Sequence, residues 1–245
     1  MKLSIQLLAI SMLICSCSSV AQENEEWTSL FNGEDLSGWV TPEGDGDKWA
    51  VVDGVIDYNA DSEAEGDKNL WSEEEYGDFK LRVEWRLKET PFVNQNVMLI
   101  RPDGSHKRNA HGDPIRIAMP DSDSGVYVRG TSKAQINMWS WPIGSGEVYG
   151  YRTDSDLPAE IAAGVTPSMM ADNDIGEWNE FIITMDGDLL SVELNGHLVI
   201  DEAQLPDVPE RGPIALQHHG SKENGEWVSP PSLVQFRNIS IQEME

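Results

Sequence analysis

Residues Ile214-Ala-Leu-Gln-His-His219 place one carboxamide and two imidazoles in consecutive positions near the end of the chain. Imidazole exchanges a proton near neutrality and ligates metals, and a side-chain amide both donates and accepts hydrogen bonds. In an extended strand, successive side chains point to opposite faces. Ile214, Leu216 and His218 therefore share one face, and Ala215, Gln217 and His219 share the other. The first set suits a core, so Gln217 and His219 are expected together on a second, polar face. Such a face fits proton transfer, metal binding or recognition of sugar hydroxyls. Two ordinary surface histidines at a strand end are the competing reading.

The same period-two reading finds other large hydrogen-bonding groups opposite apolar strand faces. Arg82, Glu84 and Arg86 alternate with Leu81, Val83, Trp85 and Leu87; Tyr127 and Arg129 alternate with Val126 and Val128; Gln135 and Asn137 alternate with Ile136 and Met138. By contrast, Thr184, Ser191 and Glu193 are the opposite-face residues of the run that carries Phe181, Ile183, Met185, Leu190, Val192 and Leu194. The apolar sets are the expected core. The large polar set is expected beside Gln217 and His219, lining a concave surface for a polyhydroxylated ligand. Arg–Glu pairing for solubility alone is the alternative. Trp71, Trp139 and Trp141 either stack on sugar rings or anchor core and loops.

The elements that must position these groups read as all-β. Short alternating runs are separated by Gly, Asp, Asn and Pro, with no long helical period and no internal repeat. Asp53-Gly54 and Asn195-Gly196 are two-residue hairpin signals, and residues 178–200 read as a three-stranded meander. Residues 94–119 look like an added hairpin around a polar turn with His106 and His111, either a wall of the site or decoration. Neither histidine has a carboxylate partner that would place it on a metal. The chain has 245 residues, and all-β sandwiches of roughly 200 to 250 residues fold as one unit.

Composition bounds the partners. With 43 acidic against 17 basic residues the formal net charge is −26, which repels phosphate backbones and anionic headgroups and argues against nucleic acid. Residues 1–16 carry Lys2, an apolar run from Leu7 to Ile14 and then small residues, the pattern of an export signal too short to span a bilayer. Both cysteines, Cys15 and Cys17, lie there, so the mature domain stands without a disulfide. Ile14-Cys15-Ser16-Cys17 resembles a bacterial lipoprotein processing box. This implies lipidation at Cys17, a tether over residues 17–26 and a domain over residues 27–245, placed in the periplasm or outer membrane and touching the membrane only through its anchor. Cleavage after Ser19-Val20-Ala21, giving a soluble secreted protein, is the other reading.

Several ordered segments resemble the 3-keto-disaccharide hydrolase domain family, a concanavalin-like jelly-roll group. They are Leu30-Phe-Asn-Gly-Glu-Asp-Leu-Ser-Gly-Trp39, Trp49-Ala-Val-Val-Asp-Gly-Val-Ile56, Tyr76-Gly-Asp-Phe79, Ser124-Gly-Val-Tyr-Val-Arg129, Gly176-Glu-Trp-Asn179, Gly212-Pro-Ile-Ala-Leu-Gln-His-His-Gly220 and Val234-Gln-Phe-Arg-Asn-Ile239. The resemblance implies a single jelly-roll β-sandwich and cleavage of glycosides whose sugar carries a ketone at C3. Two departures stand out. Lys133-Ala134 occupies a place where the family often has an acidic residue, and residues 94–119 enlarge the usual pattern.

A C3 ketone acidifies the C2 hydrogen, so the implied chemistry needs a base there, donors at the C3 oxygen and an acid for the leaving oxygen. His219 or His218 is the candidate base, with Glu84 to orient the imidazole or hold a metal. Arg129, Tyr127, Gln135, Asn137, Gln217 and Trp71 are the candidate substrate contacts. A divalent cation is compatible with two histidines and a carboxylate, but neighbours on a flat strand diverge, so both rarely reach one ion. A non-catalytic, lectin-like carbohydrate-binding module is the alternative function.

Overall fold

In the computed structural model, residues 26–244 are described. The export signal, the lipoprotein box and nearly all of the tether lie outside the described residues. Among the described residues no helix is long and apolar enough to cross a membrane.

The chain runs through β1 (Thr28–Ser29), β2 (Trp39–Val40), β3 (Ala50–Val52), β4 (Val55–Asn59), β5 (Leu70–Tyr76) and β6 (Phe79–Leu87). The added hairpin follows as β7 (Phe92–Met98) and β8 (Arg116–Asp121), then β9 (Asp123–Val128) and β10 (Thr131–Trp139). Two short helices, α1 (Tyr149–Arg152) and α2 (Ala159–Gly164), precede the meander of β11 (Asn179–Asp186), β12 (Leu189–Leu194) and β13 (His197–Gln204). The chain closes with β14 (Gly212–Leu216), the small hairpin β15 (Lys222–Glu223) and β16 (Glu226–Trp227), and the long β17 (Leu233–Glu243).

Two antiparallel sheets face each other. The larger runs β13-β12-β11-β6-β17-β4-β3, with β1 also paired to β17, and the smaller runs β10-β9-β14-β5-β2. All fourteen residues expected inside from the β6, β9, β10 and meander runs are buried in one cluster between them, confirming the single-domain jelly-roll sandwich. Asp53-Gly54 and Asn195-Gly196 form their hairpins with both residues at positive φ, the backbone that a two-residue turn with right-handed strand twist needs.

The sheet order corrects one expectation. Strand β6 pairs with the meander strand β11, Ile182 opposite Arg82 and Glu180 opposite Glu84, so the Arg82-Glu84-Arg86 face belongs to the larger sheet. Period two says which residues share a face of a strand; it does not say which strands share a sheet. Glu84 sits on the outside of that sheet, accepting from Arg237 Nε at 2.7 Å and Asn238 Nδ2 at 2.6 Å. It is an ion-pair partner in a solvent-facing ladder, in the sheet that does not carry His219.

Arg129 also departs from its expected place. Val128 pairs with Thr131, so Arg129 and Gly130 are the two turn residues, with φ of 52° and 69°. The positive φ breaks the alternation and sends the guanidinium to the end of the sandwich rather than onto the face of Tyr127. There it is 2% exposed, donating to the carbonyls of Gly77, Gly187 and Pro209 and to Asp78 Oδ1 at 2.7 Å. It ties the β5–β6, β11–β12 and pre-β14 connections together. Arg129→Met should leave three carbonyls without their donor and cost on the order of 3 kcal/mol. Urea unfolding would measure this; an unchanged midpoint would show that the cluster carries no stability.

Candidate functional site

The outer face of the smaller sheet is built in rows. Register places Gln135, Tyr127, Ala215 and Trp71 across β10, β9, β14 and β5. One step along, Asn137 lies opposite Gly125, whose carbonyl accepts from Gln217 N at 2.9 Å. The next row begins with Trp139 opposite Asp123 and ends at His219, whose backbone N–H donates to Ser232 Oγ while Ser232 Oγ donates to Asp123 O. Gln217 and His219 thus stand on one face, as the alternation predicts. Tyr127, Gln135 and Asn137 join them, and Trp71 flanks Tyr127 with ring centroids 5.8 Å apart. Trp71 is fixed by Nε1 donating to Asp67 at 2.7 Å.

This face is polar yet largely closed over, with Asn137, Gln217, Tyr127 and Trp139 buried. Loops rise around it and leave a cleft of about 410 Å³, lined among others by Asp123, Gln135, Asn137, Gln217, His219 and Trp141. Asn94 of β7 also lines it, so the added hairpin does form a wall. Asp121 fastens that wall, accepting from Asn94 Nδ2 at 2.8 Å, Trp141 Nε1 at 3.0 Å and Ser140 Oγ at 3.0 Å. The Trp139 and Trp141 rings stack at 4.3 Å along one side.

On the floor, Gln135 and Gln217 exchange hydrogen bonds: Gln135 Nε2 donates to Gln217 Oε1 at 2.7 Å and Gln217 Nε2 returns one at 3.1 Å. Gln135 Nε2 also donates to Asn137 Oδ1. These bonds use both N–H groups of Gln135 but neither of Asn137, while Gln217 also hydrogen-bonds the Tyr127 hydroxyl. The pair lies flat because Gly125 has no side chain; a Cβ there would stand 2.8 Å from Gln135 Cγ and 2.9 Å from the Ile136 carbonyl.

His219 Nδ1 lies 2.5 Å from the Pro230 carbonyl. A carbonyl only accepts, so Nδ1 carries a proton, and the neutral form of this ring has its lone pair on Nε2. Nε2 is 3.9 Å from Asp123 Oδ2. The other Asp123 oxygen, Oδ1, is buried with no hydrogen-bond partner. Burial pushes the Asp123 carboxyl up to about 7, with Asp121 adding to the rise and His219 opposing it. The cleft therefore sets an imidazole nitrogen beside a carboxyl held well above the ordinary carboxylate range. Burial also raises Tyr127 to about 12, keeping it a neutral donor.

His218 points the other way. Its Nδ1 hydrogen-bonds Tyr58 Oη at 2.6 Å, and Tyr58 stacks on Trp49 at 3.7 Å. Burial first, then Lys68 and His219, lower it to about 4. It is a neutral tie between the two sheets, outside the cleft, and Glu84 and Arg129 are outside it as well. Asp123 lies outside the sequence expectation because Pro120-Asp-Ser-Asp-Ser124 has the composition of a loop rather than of a strand. Extending the parity of Tyr127 and Gly125 back two residues would have found it. Among the described residues no group of three or more His, Cys, Asp or Glu side chains is placed to hold a metal.

Three crystal structures of proposed glycosyl hydrolases from Parabacteroides distasonis ATCC 8503 share the fold. One aligns with a TM-score of 0.55 at 18% identity over 89% of this chain and 94% of its own. The second aligns at 0.53 and 19% over 89% and 100%, and the third at 0.52 and 21% over 89% and 84%. No curated protein matches the chain. The model of the 3-keto-alpha-glucoside-1,2-lyase-like domain matches residues 26–242, nearly the whole chain. The rows of this sheet face, from Trp71 to His219, all fall within that span, and the protein belongs to the 3-keto-alpha-glucoside-1,2-lyase-like domain family, also called the 3-keto-disaccharide hydrolase domain family.

Proposed function

We propose that this carbohydrate-active protein cleaves glycosides carrying a ketone at C3 of the sugar, with His219 as the base and Asp123 as the acid. The observation that carries this reading is the His219 tautomer: Nδ1–H is committed to Pro230, leaving the Nε2 lone pair 3.9 Å from a carboxyl raised to about 7. In the first half-reaction Nε2 takes the C2 proton and the C–H electrons form an enolate on the C3 oxygen. The N–H groups of Asn137 are donors of the kind such an oxyanion needs. The enolate then reforms the ketone, a C1–C2 double bond forms, the C1–O bond breaks and neutral Asp123 protonates the departing oxygen. In the second half, Asp123 as carboxylate takes a proton from water, whose oxygen adds to C1, and the imidazolium returns a proton to C2. The sum is hydrolysis, and both residues end as they began.

This differs from glycosidases that use two carboxylates flanking the bond. A group near half protonation at working pH serves well as acid in one half and base in the other. The stacked Trp139–Trp141 pair favours the second reading, a carbohydrate-binding module, because aromatic faces hold sugar rings without chemistry. Incubation with a 3-keto-disaccharide separates the two, since a module binds it unchanged.

His219→Ala should slow turnover about 10²- to 10⁴-fold with folding intact. In heavy water the native protein should wash deuterium into C2 of the 3-keto sugar and the variant should do so far more slowly. Undiminished exchange would remove His219 from the chemistry, and Glu84→Gln, in the other sheet, should change neither rate.

Asp123 gives a pH-dependent expectation. Its folded value of about 7 lies above the ordinary carboxyl value, so the stability it contributes is full below about 4 and is lost as pH rises to about 7. Asp123→Asn cannot ionise and should gain stability relative to the native chain across that window, by up to a few kcal/mol on the scale of about 1.4 per pKa unit. The native kcat/KM should also fall on the alkaline side with an apparent pKa near 7. A stability difference that stays flat with pH would show that Asp123 is ionised throughout.

A further inference from the structure

A second cavity, of about 310 Å³, opens at the end of the sandwich, between the C-terminal end of β6, the end of β8 and the loop before β11. Its inner wall is Trp85, Leu87 and Trp139, each under 5% exposed, and Met119 adds a thioether. At its lip Met170 is 59% and Ile175 47% exposed, large apolar side chains left in water on a chain of net charge −26. Trp85 Nε1–H is buried without an acceptor, an expense a fold avoids unless something else supplies the partner.

The position of this chamber matters as much as its chemistry. Trp139 lines both it and the polar cleft. Along β8 and its continuation Pro120 lines the chamber and Asp121 the cleft; after β10, Ser140 lines the chamber and Trp141 the cleft. The two spaces therefore meet along a rim two residues wide, with a polar side for a sugar and an apolar side beyond it. Indole planes and methionine sulfur favour a flat aromatic ring at the inner wall, where Leu87 and Met119 offer a sugar's hydroxyls no partner, although Asp172, Asn173 and Asp174 also line the chamber. A cavity of about 150 Å³ already accepts benzene, so a substituted single ring fits this one with room for a polar substituent.

We infer that the chamber receives the aromatic leaving group of an aryl glycoside whose sugar occupies the polar cleft. This rests on the glycoside-cleaving reading above for its use, but not for the binding itself. The ring would lie between Trp139 and the methionines.

Two measurements on the folded domain test this separately. Phenol titrated into the protein should shift the Trp85 indole N–H and the Met119 and Met170 methyl signals in NMR spectra, and Ile175→Asp, a change at an exposed lip position, should weaken the response. In parallel, Ile175→Asp should lower kcat/KM for phenyl 3-keto-glucoside by roughly tenfold, leaving a 3-keto-disaccharide within about twofold. Absence of the phenol shifts overturns the chamber as an aromatic site, whatever the activity. Equal effects of Ile175→Asp on the two substrates overturn its role as a leaving-group site while the cleavage reading stands. Phenol shifts in a protein that cleaves neither substrate support the aromatic site and defeat the cleavage reading instead.

Discussion

A polar sheet face that is closed over by loops has to satisfy its own donors and acceptors, because water no longer does so. The arrangement above β9, β10 and β14 follows from that constraint. Gln135 and Gln217 pair with each other and with Asn137, which requires the strand between them to carry no side chain at Gly125. Ala215 keeps the next row low for Tyr127 and Trp71. The small residues are therefore as much part of the cleft as the polar ones.

The loops need fixing too, and acidic residues do much of it. Asp121 gathers the added hairpin, Ser140 and Trp141 onto one carboxylate. Behind them, the segment between β10 and α1 returns along β10, with Gly146 N donating to the Asn137 carbonyl and Asn137 N to that of Glu147. Glu147 and Arg152 form a buried ion pair that holds α1 beneath this segment. Arg152 Nη1 reaches His106 Nε2 at 3.5 Å, so the far end of the hairpin is tied to the same base. His106 is thus a structural contact. The hairpin is held at both ends, and the wall it offers the cleft is built into the fold.

The alternation of strands β6, β9, β10 and β14 was legible because each has one face against a continuous apolar core, which fixes parity. That placed Gln217, His219, Tyr127, Gln135 and Asn137 correctly, and it separated His218 from His219. Two things were not legible. The partner of each strand depends on long-range pairing, so Glu84 could not be assigned to a sheet by its own neighbours. The conformation of a turn residue overrides parity, so Arg129, at positive φ, left the face its strand would have given it. Asp123 was readable in principle, but its Asp-rich surroundings look like a loop, and its raised pKa comes from burial that only the assembled walls create.

His218 and Asp123 show how one fold can hold a carboxyl near half protonation. Burial lowers His218 to about 4, so the native state disfavours its charging and loses stability as pH falls from the ordinary histidine range toward 4. Burial raises Asp123 to about 7, so the native state loses stability as pH rises over much the same interval. The two dependences oppose each other. Each shift disfavours a charged form that would be poorly solvated, one between the sheets and one at the cleft, and the two are similar in size. The strain of keeping Asp123 buried thus need not appear as a steep loss of stability toward neutral pH, where its proton is most readily exchanged. Asp121, beside it, has donors on both oxygens, whereas Asp123 Oδ1 has none, which fits a group whose partner arrives with the ligand.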